Sequence, residues 1–310
     1  MRKVLDDDHR RTGMKIFVTG ATGYIGGSVA EQLVVSGHTV LGLVRSRDKA
    51  FLLKERGIDP VVGTLDDWGV LTDAAHAADA VIHAASADHP GSVLTLVGAL
   101  ERSAKPLIYT TGSGIVADSA GGKYASSSVF TEDAYFEPVP FRRPRIEMNR
   151  LVREAGISKG IRAVVICPTM IYGAGRGMQP DSDQLPKLVA LSRQLGVGVY
   201  FGKGLNRYSN VHIDDLVELY MLALDKAPGG SFFFAENGDA SFKEIAEMVS
   251  HALGFEGRTV SLSVEDLVRQ YGEAGRYGVT SNSRVSALNA RRLGWSPKGP
   301  SLAEYIEHLR

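Results

Sequence analysis

Three glycines at fixed spacing, Gly20, Gly23 and Gly26, directly follow a short apolar run at residues 16–18 and open a helix-like segment. This order constrains the chain more than any other feature in it. The first glycine permits a tight turn at a strand end, the second lets the backbone approach a pyrophosphate, and the third lets helix and strand pack closely. The start of the helix adds unpaired N–H groups and a partial positive charge. Glycines also punctuate ordinary turns, so the trio gains its meaning from its place between strand and helix. The segment predicts a nicotinamide dinucleotide held at Gly20, Thr22, Gly23, Tyr24 and Ile25.

The first half of the chain continues in the same rhythm. Strand patterns fall at residues 16–19, 39–44, 60–62, 80–83, 107–110 and 163–167, with helix patterns between them at 24–36, 48–56, 68–75, 93–103 and 145–155. Alternation of this kind predicts an α/β fold, a doubly wound parallel sheet with right-handed crossovers. The rhythm breaks after Pro168. Residues 173–182 read as a loop, 185–195 and 214–224 as helices, 232–234 as a strand, and 241–253, 264–271 and 302–309 as helices of a smaller C-terminal substrate lobe. The expected division is a dinucleotide-binding unit over 14–170 and the lobe over 171–310, with some segments returning to the sheet.

Charge and composition exclude several classes of function. Lys plus Arg and Asp plus Glu number 35 each, so nothing electrostatic draws the chain to nucleic acid or to an anionic membrane. No apolar run is long enough to span a bilayer. Residues 1–13 are charged and lack the apolar segment of a secretory signal, and are expected to be a disordered extension. The expected location is cytoplasmic. The single cysteine, Cys167, lies in an apolar strand pattern and reads as a buried residue rather than a nucleophile. No His, Cys or carboxylate cluster has metal-ligand spacing, so no metal site is expected.

Five motifs stand in order: Thr19-Gly-Ala-Thr-Gly-Tyr-Ile-Gly26, Val81-Ile-His-Ala-Ala85, Ile108-Tyr-Thr-Thr-Gly-Ser-Gly114, Pro168-Thr-Met-Ile-Tyr-Gly173 and Asn210-Val-His-Ile-Asp-Asp-Leu216. From Met14 to Arg310 the chain resembles the extended short-chain dehydrogenase/reductase superfamily, in its NAD-dependent epimerase/dehydratase branch. The resemblance implies a Rossmann-like fold and a small-molecule substrate, and related folds often pair helices into homodimers. It also places the choice of cofactor at the end of the second strand. An acid there favours NAD, and a basic residue just after it favours NADP. This chain has Val44 followed by Arg45-Ser46-Arg47, so NADP(H) is expected in preference to NAD(H), with Arg45 the better candidate and Arg47 the second. Both arginines also read as ordinary solvated loop residues. Further implied cofactor contacts are Thr64 and Leu65 beside the adenine, His83, Ala84 and Ala85 along the dinucleotide, and Thr110, Arg145 and Pro168.

One departure governs the chemistry. Redox members of the superfamily use a Tyr and, four residues later, a Lys, with a nearby Ser or Thr that polarises the substrate oxygen. The ungapped match here is Pro140-Phe-Arg-Arg-Pro-Arg145, which puts Phe141 at the Tyr position and Arg145 at the Lys position. Phenylalanine has no proton to give, whereas arginine stays charged and can still hold a ribose or a developing negative charge. The usual hydroxyl position reads Gly112, flanked by Thr111 and Ser113. Thr111, Ser113 and Arg145 are therefore the catalytic candidates, although both hydroxyls also read as caps on strand-end backbone groups. Tyr135 and Tyr172 are substitute acids or substrate walls, with Tyr124, His89 and Asp133 weaker. Arg207 lies near the place where nucleotide-sugar members hold a phosphate-gripping arginine, but the register puts Tyr208 there.

Three functions follow in order of preference. The first is an atypical NADP(H)-dependent oxidoreductase acting on a small carbonyl, imine or conjugated substrate. The second is an epimerase or dehydratase with tightly bound NAD, and the third a non-catalytic dinucleotide sensor. If the ancestral geometry survives, a Phe141→Tyr change is expected to raise carbonyl reduction.

Overall fold

The computed structural model describes residues 13–309, so the extension expected over residues 1–13 falls outside the described residues except for Gly13. The first half runs β1 (Lys15–Thr19), α1 (Tyr24–Val35), β2 (Thr39–Val44), α2 (Arg47–Glu55), β3 (Ile58–Val62), α3 (Trp68–Ala77), β4 (Ala80–His83), α4 (Pro90–Leu100), β5 (Pro106–Thr110), α5 (Arg143–Ser158) and β6 (Arg162–Pro168). It continues with β7 (Met170–Tyr172), α6 (Gln184–Leu195), β8 (Gly198–Phe201), β9 (Arg207–His212), α7 (Ile213–Lys226), β10 (Phe232–Ala235), β11 (Asp239–Ser241), α8 (Phe242–Ala252), β12 (Thr259–Leu262), α9 (Val264–Arg276), α10 (Leu288–Arg292) and α11 (Leu302–Glu307).

Seven strands form one parallel sheet in the order β10-β6-β5-β4-β1-β2-β3. Its strands are almost uniformly apolar, as a sheet covered on both faces requires, and Ile16, Phe17, Ile82, Ile108 and Ile166 are fully buried. The chain winds outward from β1 through β2 to β3, then crosses to β4 on the other side. The C-terminal ends of β1 and β4 therefore flank the point where the winding reverses, which opens a crevice for a ligand. The fold is the α/β, Rossmann-like one the sequence predicts.

The second half splits its material. Strand β10 pairs with β6, with Phe234 beside Cys167, and α7 packs on α1, so both return to the sheet. The remainder forms a smaller lobe from β11-β9-β7, β12-β8 and helices α6, α8 and α11 around Met170, Leu185, Phe242, Ile245 and Ile306. Strands β7 and β11 are three residues each, too short for a two-residue period to register in the sequence. Helix α4 begins before the pattern at 93 because the His89 ring accepts the Ser92 amide at 3.1 Å and Pro90 occupies the first turn. Helix α9 runs past 271 to Arg276 by breaking at Gly272, whose φ is +59°.

Candidate functional site

A cleft of about 790 Å³ lies at the crevice. Its floor is the glycine turn. Gly20 has φ +78°, and a Cβ there would lie 2.8 Å from the Ala84 carbonyl carbon and oxygen. A Cβ on Gly26 would lie 2.7 Å from the Gly20 carbonyl carbon and closer still to its oxygen. The Gly23 amide closes the turn on the Gly20 carbonyl at 2.8 Å, and no side chain caps the first turn of α1. This is a cradle in which added carbon would displace backbone, open to a group that accepts from amides. Those features fit a dinucleotide pyrophosphate.

Gly20, Thr22, Gly23, Tyr24, Ile25, Arg45, Thr64, Leu65, Ala84 and Ala85 all line this cleft. The Tyr24 phenol donates to the Gly173 carbonyl at 2.8 Å, which fastens the following loop to α1, and burial pushes its pKa up. Val44 closes β2 without an acid, and Arg45 is exposed at the cleft rim. Lys49 lines the same end, four residues on along α2, whose start Ser46 caps by accepting the Lys49 amide at 3.3 Å. Its place in the first turn of the helix that opens at the end of the Arg45-Ser46-Arg47 run was the signal that could have found it. Arg47, by contrast, opens α2 outside the cleft lining. Asp66 and His89 also line the cleft, joined by a 3.1 Å contact from His89 Nε2 to Asp66 Oδ1. Because His89 Nδ1 accepts the Ser92 amide, the neutral ring carries its hydrogen on Nε2 and donates it to Asp66.

The end of β5 forms a second polar centre. Thr110 and Thr111 point to opposite faces, as successive strand residues do. The Thr110 hydroxyl is spent on Tyr220 Oη at 2.6 Å, beneath α7. The Thr111 Oγ1 is buried and makes no hydrogen bond within 3.5 Å among the described residues; its polar neighbour, the Tyr109 phenol, donates to the Ala87 carbonyl at 3.0 Å. Ser113 is committed elsewhere: its hydroxyl and carbonyl both bond the Ser283 hydroxyl, at 3.0 and 2.8 Å, which ties the strand end to the smaller lobe. Arg145 projects from the first turn of α5. Its Nε donates to Asp88 Oδ1 at 2.9 Å and its Nη2 to Asp88 Oδ2, while Nη1 lies 3.7 Å from where a Gly112 Cβ would stand. Burial works to lower the Arg145 pKa, but Asp88 outweighs it and the guanidinium is raised. Asp88 was invisible in the sequence, an acid in a loop with no motif around it.

Other candidates are drawn into the framework. His83 is buried between the Thr19 hydroxyl at 2.7 Å and the Ser86 carbonyl at 3.2 Å, and burial pushes its pKa down to about 4. An unfolded histidine titrates near 6.5, so between about pH 4 and pH 6.5 the unfolded chain binds the extra proton. Stability is expected to rise with pH across that window by about 3 kcal/mol, and urea melts of a His83→Gln variant should show a flatter slope. Pro168 ends β6 in register with Ala235. Tyr172 is fully buried with its phenol on the Pro300 carbonyl at 2.7 Å, and Tyr208 is buried against Phe242. Arg207 is held by Asp239 and Glu244. Tyr135 is 87% exposed, and Phe141 stacks on Tyr277 with centroids 6.1 Å apart. None of these last seven lines the cleft, and neither do Thr110, Thr111, Ser113 or Arg145, so the polar centre at the end of β5 stands outside the cleft lining. Cys167 is buried and free, and burial pushes its thiol pKa up. Among the described residues no group of three His, Cys, Asp or Glu side chains could hold a metal, and no helix is long and apolar enough to cross a membrane.

Residues 16–233 match the NAD dependent epimerase/dehydratase family, and the chain belongs to that family. It is thus a member of an NAD(P)-dependent enzyme family. An oxidase of an Acremonium species is 31% identical, over 94% of this chain and 95% of its own. A 4-hydroxy-2-methyl-3-oxo-4-farnesyl-3,4-dihydroquinoline-1-oxide ketoreductase of Stigmatella aurantiaca is 27% identical, over 73% of this chain and 69% of its own. The UDP-glucose 4-epimerase of Thermotoga maritima shares the fold with a TM-score of 0.76 at 18% identity, over 95% of this chain and 96% of its own.

Proposed function

We propose that the protein is an NADP(H)-dependent oxidoreductase acting on a small organic carbonyl, imine or conjugated substrate. The observation that carries this reading is the end of β2, where Val44 replaces an acid and two cations, Arg45 and Lys49, face one cleft. A 2′-phosphate there meets a guanidinium able to grip it in two-point fashion and an ammonium able to neutralise it. The bound dinucleotide supplies or accepts the hydride. Outside the cleft lining, at the end of β5, the Thr111 hydroxyl is available to donate to a substrate oxygen, and Arg145 places permanent positive charge over the neighbouring Gly112. With Phe141 at the tyrosine position, water supplies the proton. A positioned donor contributes about 10²–10⁴-fold, so its loss slows reduction without abolishing it. The oxidase and ketoreductase relatives support redox chemistry over epimerisation.

Fluorescence titration with NADPH and NADH tests the reading. NADPH is expected to bind more tightly, and Arg45→Ala to weaken it by about 10–100-fold while NADH is unchanged, as loss of a charge-assisted hydrogen-bonded pair implies. Lys49→Ala should act in the same direction with a smaller effect. Equal affinity of the native protein for the two cofactors would overturn the NADP(H) assignment.

A further inference from the structure

Arg142 is a guanidinium without a counter-charge. It lies along Gly114, where a Cβ would stand 3.2 Å from Nη2 and 3.4 Å from Cζ. Its Nε is buried with no hydrogen-bond partner; its Nη2 donates to the Tyr277 carbonyl at 3.3 Å, and its Cζ lies 4.8 Å from the centroid of the Phe141 ring. No carboxylate lies within ion-pair distance of it among the described residues. Its neighbours differ in this respect: Arg143 has Glu137, Arg145 has Asp88, Arg207 has Asp239 and Glu244, and Arg284 has Asp239. Burial pushes the Arg142 pKa down; the Tyr208 phenol opposes this more than Asp88 does, and both Asp88 oxygens are already engaged by Arg145.

The start of the helix is also an unfavourable place for an unpaired cation. Arg142 is the residue preceding α5, and the first turn of that helix contains Arg143 and Arg145 and no acid. Cations at the positive end of a helix dipole are unfavourable unless an anion joins them. Burial of an uncompensated charge is costly for the same reason. Thr111 adds an independent sign of a ligand, since it is only 7% exposed and its Oγ1 is also unpartnered. The three groups follow one another along the end of β5: Thr111 itself, Arg145 over Gly112, and Arg142 over Gly114.

We propose that the substrate is an oxo acid, with its carboxylate on Arg142 and its carbonyl oxygen on Thr111 and Arg145. This rests on the carbonyl-reducing form of the reading above. The unsatisfied Nε–H and the second Nη2 hydrogen form one edge of a planar fork, which matches the two oxygens of a carboxylate. Gly114 lets the guanidinium lie close along the backbone, since a Cβ there would stand 3.2 Å from Nη2 and crowd it by a few tenths of an ångström. The reaction balances without a further reactant: NADPH hydride adds to the carbonyl carbon, water protonates the oxygen, and the carboxylate is unchanged.

Two measurements test it. Initial rates of NADPH oxidation are taken with a homologous series of 2-oxo and 3-oxo acids and their methyl esters. The native enzyme is expected to prefer acids, and Arg142→Met to lose about 10–100-fold in kcat/KM on acids, chiefly through KM, while rates on esters and NADPH affinity hold. Arg142→Lys, which keeps charge but not the fork, should recover part of the loss. Equal rates on acid and ester, or an equal loss on both, would overturn the proposal. Calorimetry of the same acids against NADP⁺-saturated protein reads the anion site without turnover. Binding that disappears in Arg142→Met supports the site even if no substrate is reduced, in which case the oxidoreductase reading alone fails. Absence of binding by every acid overturns the carboxylate site.

Discussion

Gly26→Val abolishes NADPH binding and lowers the stability of the protein. The Cβ of any residue at 26 stands 2.7 Å from the Gly20 carbonyl carbon and nearer to its oxygen, and backbone cannot yield as a flexible side chain would. Either the turn opens or α1 moves away from β1, and both displace the amides that face the cleft. Gly20 meets the same limit from the other side, with positive φ and the Ala84 backbone at 2.8 Å. Overpacking of this kind costs about 1–3 kcal/mol in stability. The loss in affinity is larger, on the order of 100-fold or more, because several phosphate contacts depend on one turn. NADPH fluorescence titration and a thermal melt measure the two effects. Gly69→Ala is the control, since a Cβ there meets nothing within 4 Å and the position is helical. That variant should bind normally and melt slightly higher. A Gly26→Val protein with native affinity would remove the glycine turn from the site.

This turn was legible because its chemistry is local. Strand, glycines and helix are consecutive, so spacing alone specifies the cradle, and the repeated βαβ pattern specifies the sheet around it. The end of β5 was only half legible. Thr111, Ser113 and Arg145 could be named, but not which hydroxyl stays free. That depends on Ser283 taking Ser113 and on Tyr220 taking Thr110, contacts between residues 170 and 110 positions apart. Asp88 was missed for the same reason, lying 57 residues from the arginine it holds. Short strands such as β7 and β11 escaped because three residues carry no period.

Arg145→Ala is expected to lower kcat by about 10²–10³-fold, the usual result of removing one preorganised donor from a developing negative charge. NADPH affinity should fall by no more than about 10-fold, the share of one charged contact. Folding stability should hardly change. The partner left behind, Asp88, has a side chain 64% exposed and returns to water, so no buried charge is orphaned, although Arg145 itself is only 19% exposed and its loss removes some packing. A large loss of turnover with an unchanged melting temperature therefore separates a chemical role from a structural one. Asp88→Asn should lie between the native enzyme and Arg145→Ala, since the guanidinium keeps its charge but loses the two-point grip that aims it. Phe141→Tyr makes a complementary test. Its ring is held in a stack, against Tyr277 on one side and with the Arg142 guanidinium over its face at 4.8 Å, and it is 43% exposed. The restored phenol should therefore leave the rate of reduction unchanged. A clear gain in that variant would mean that the ring turns inward during turnover, and that the proton route through position 141 is intact but unsupplied.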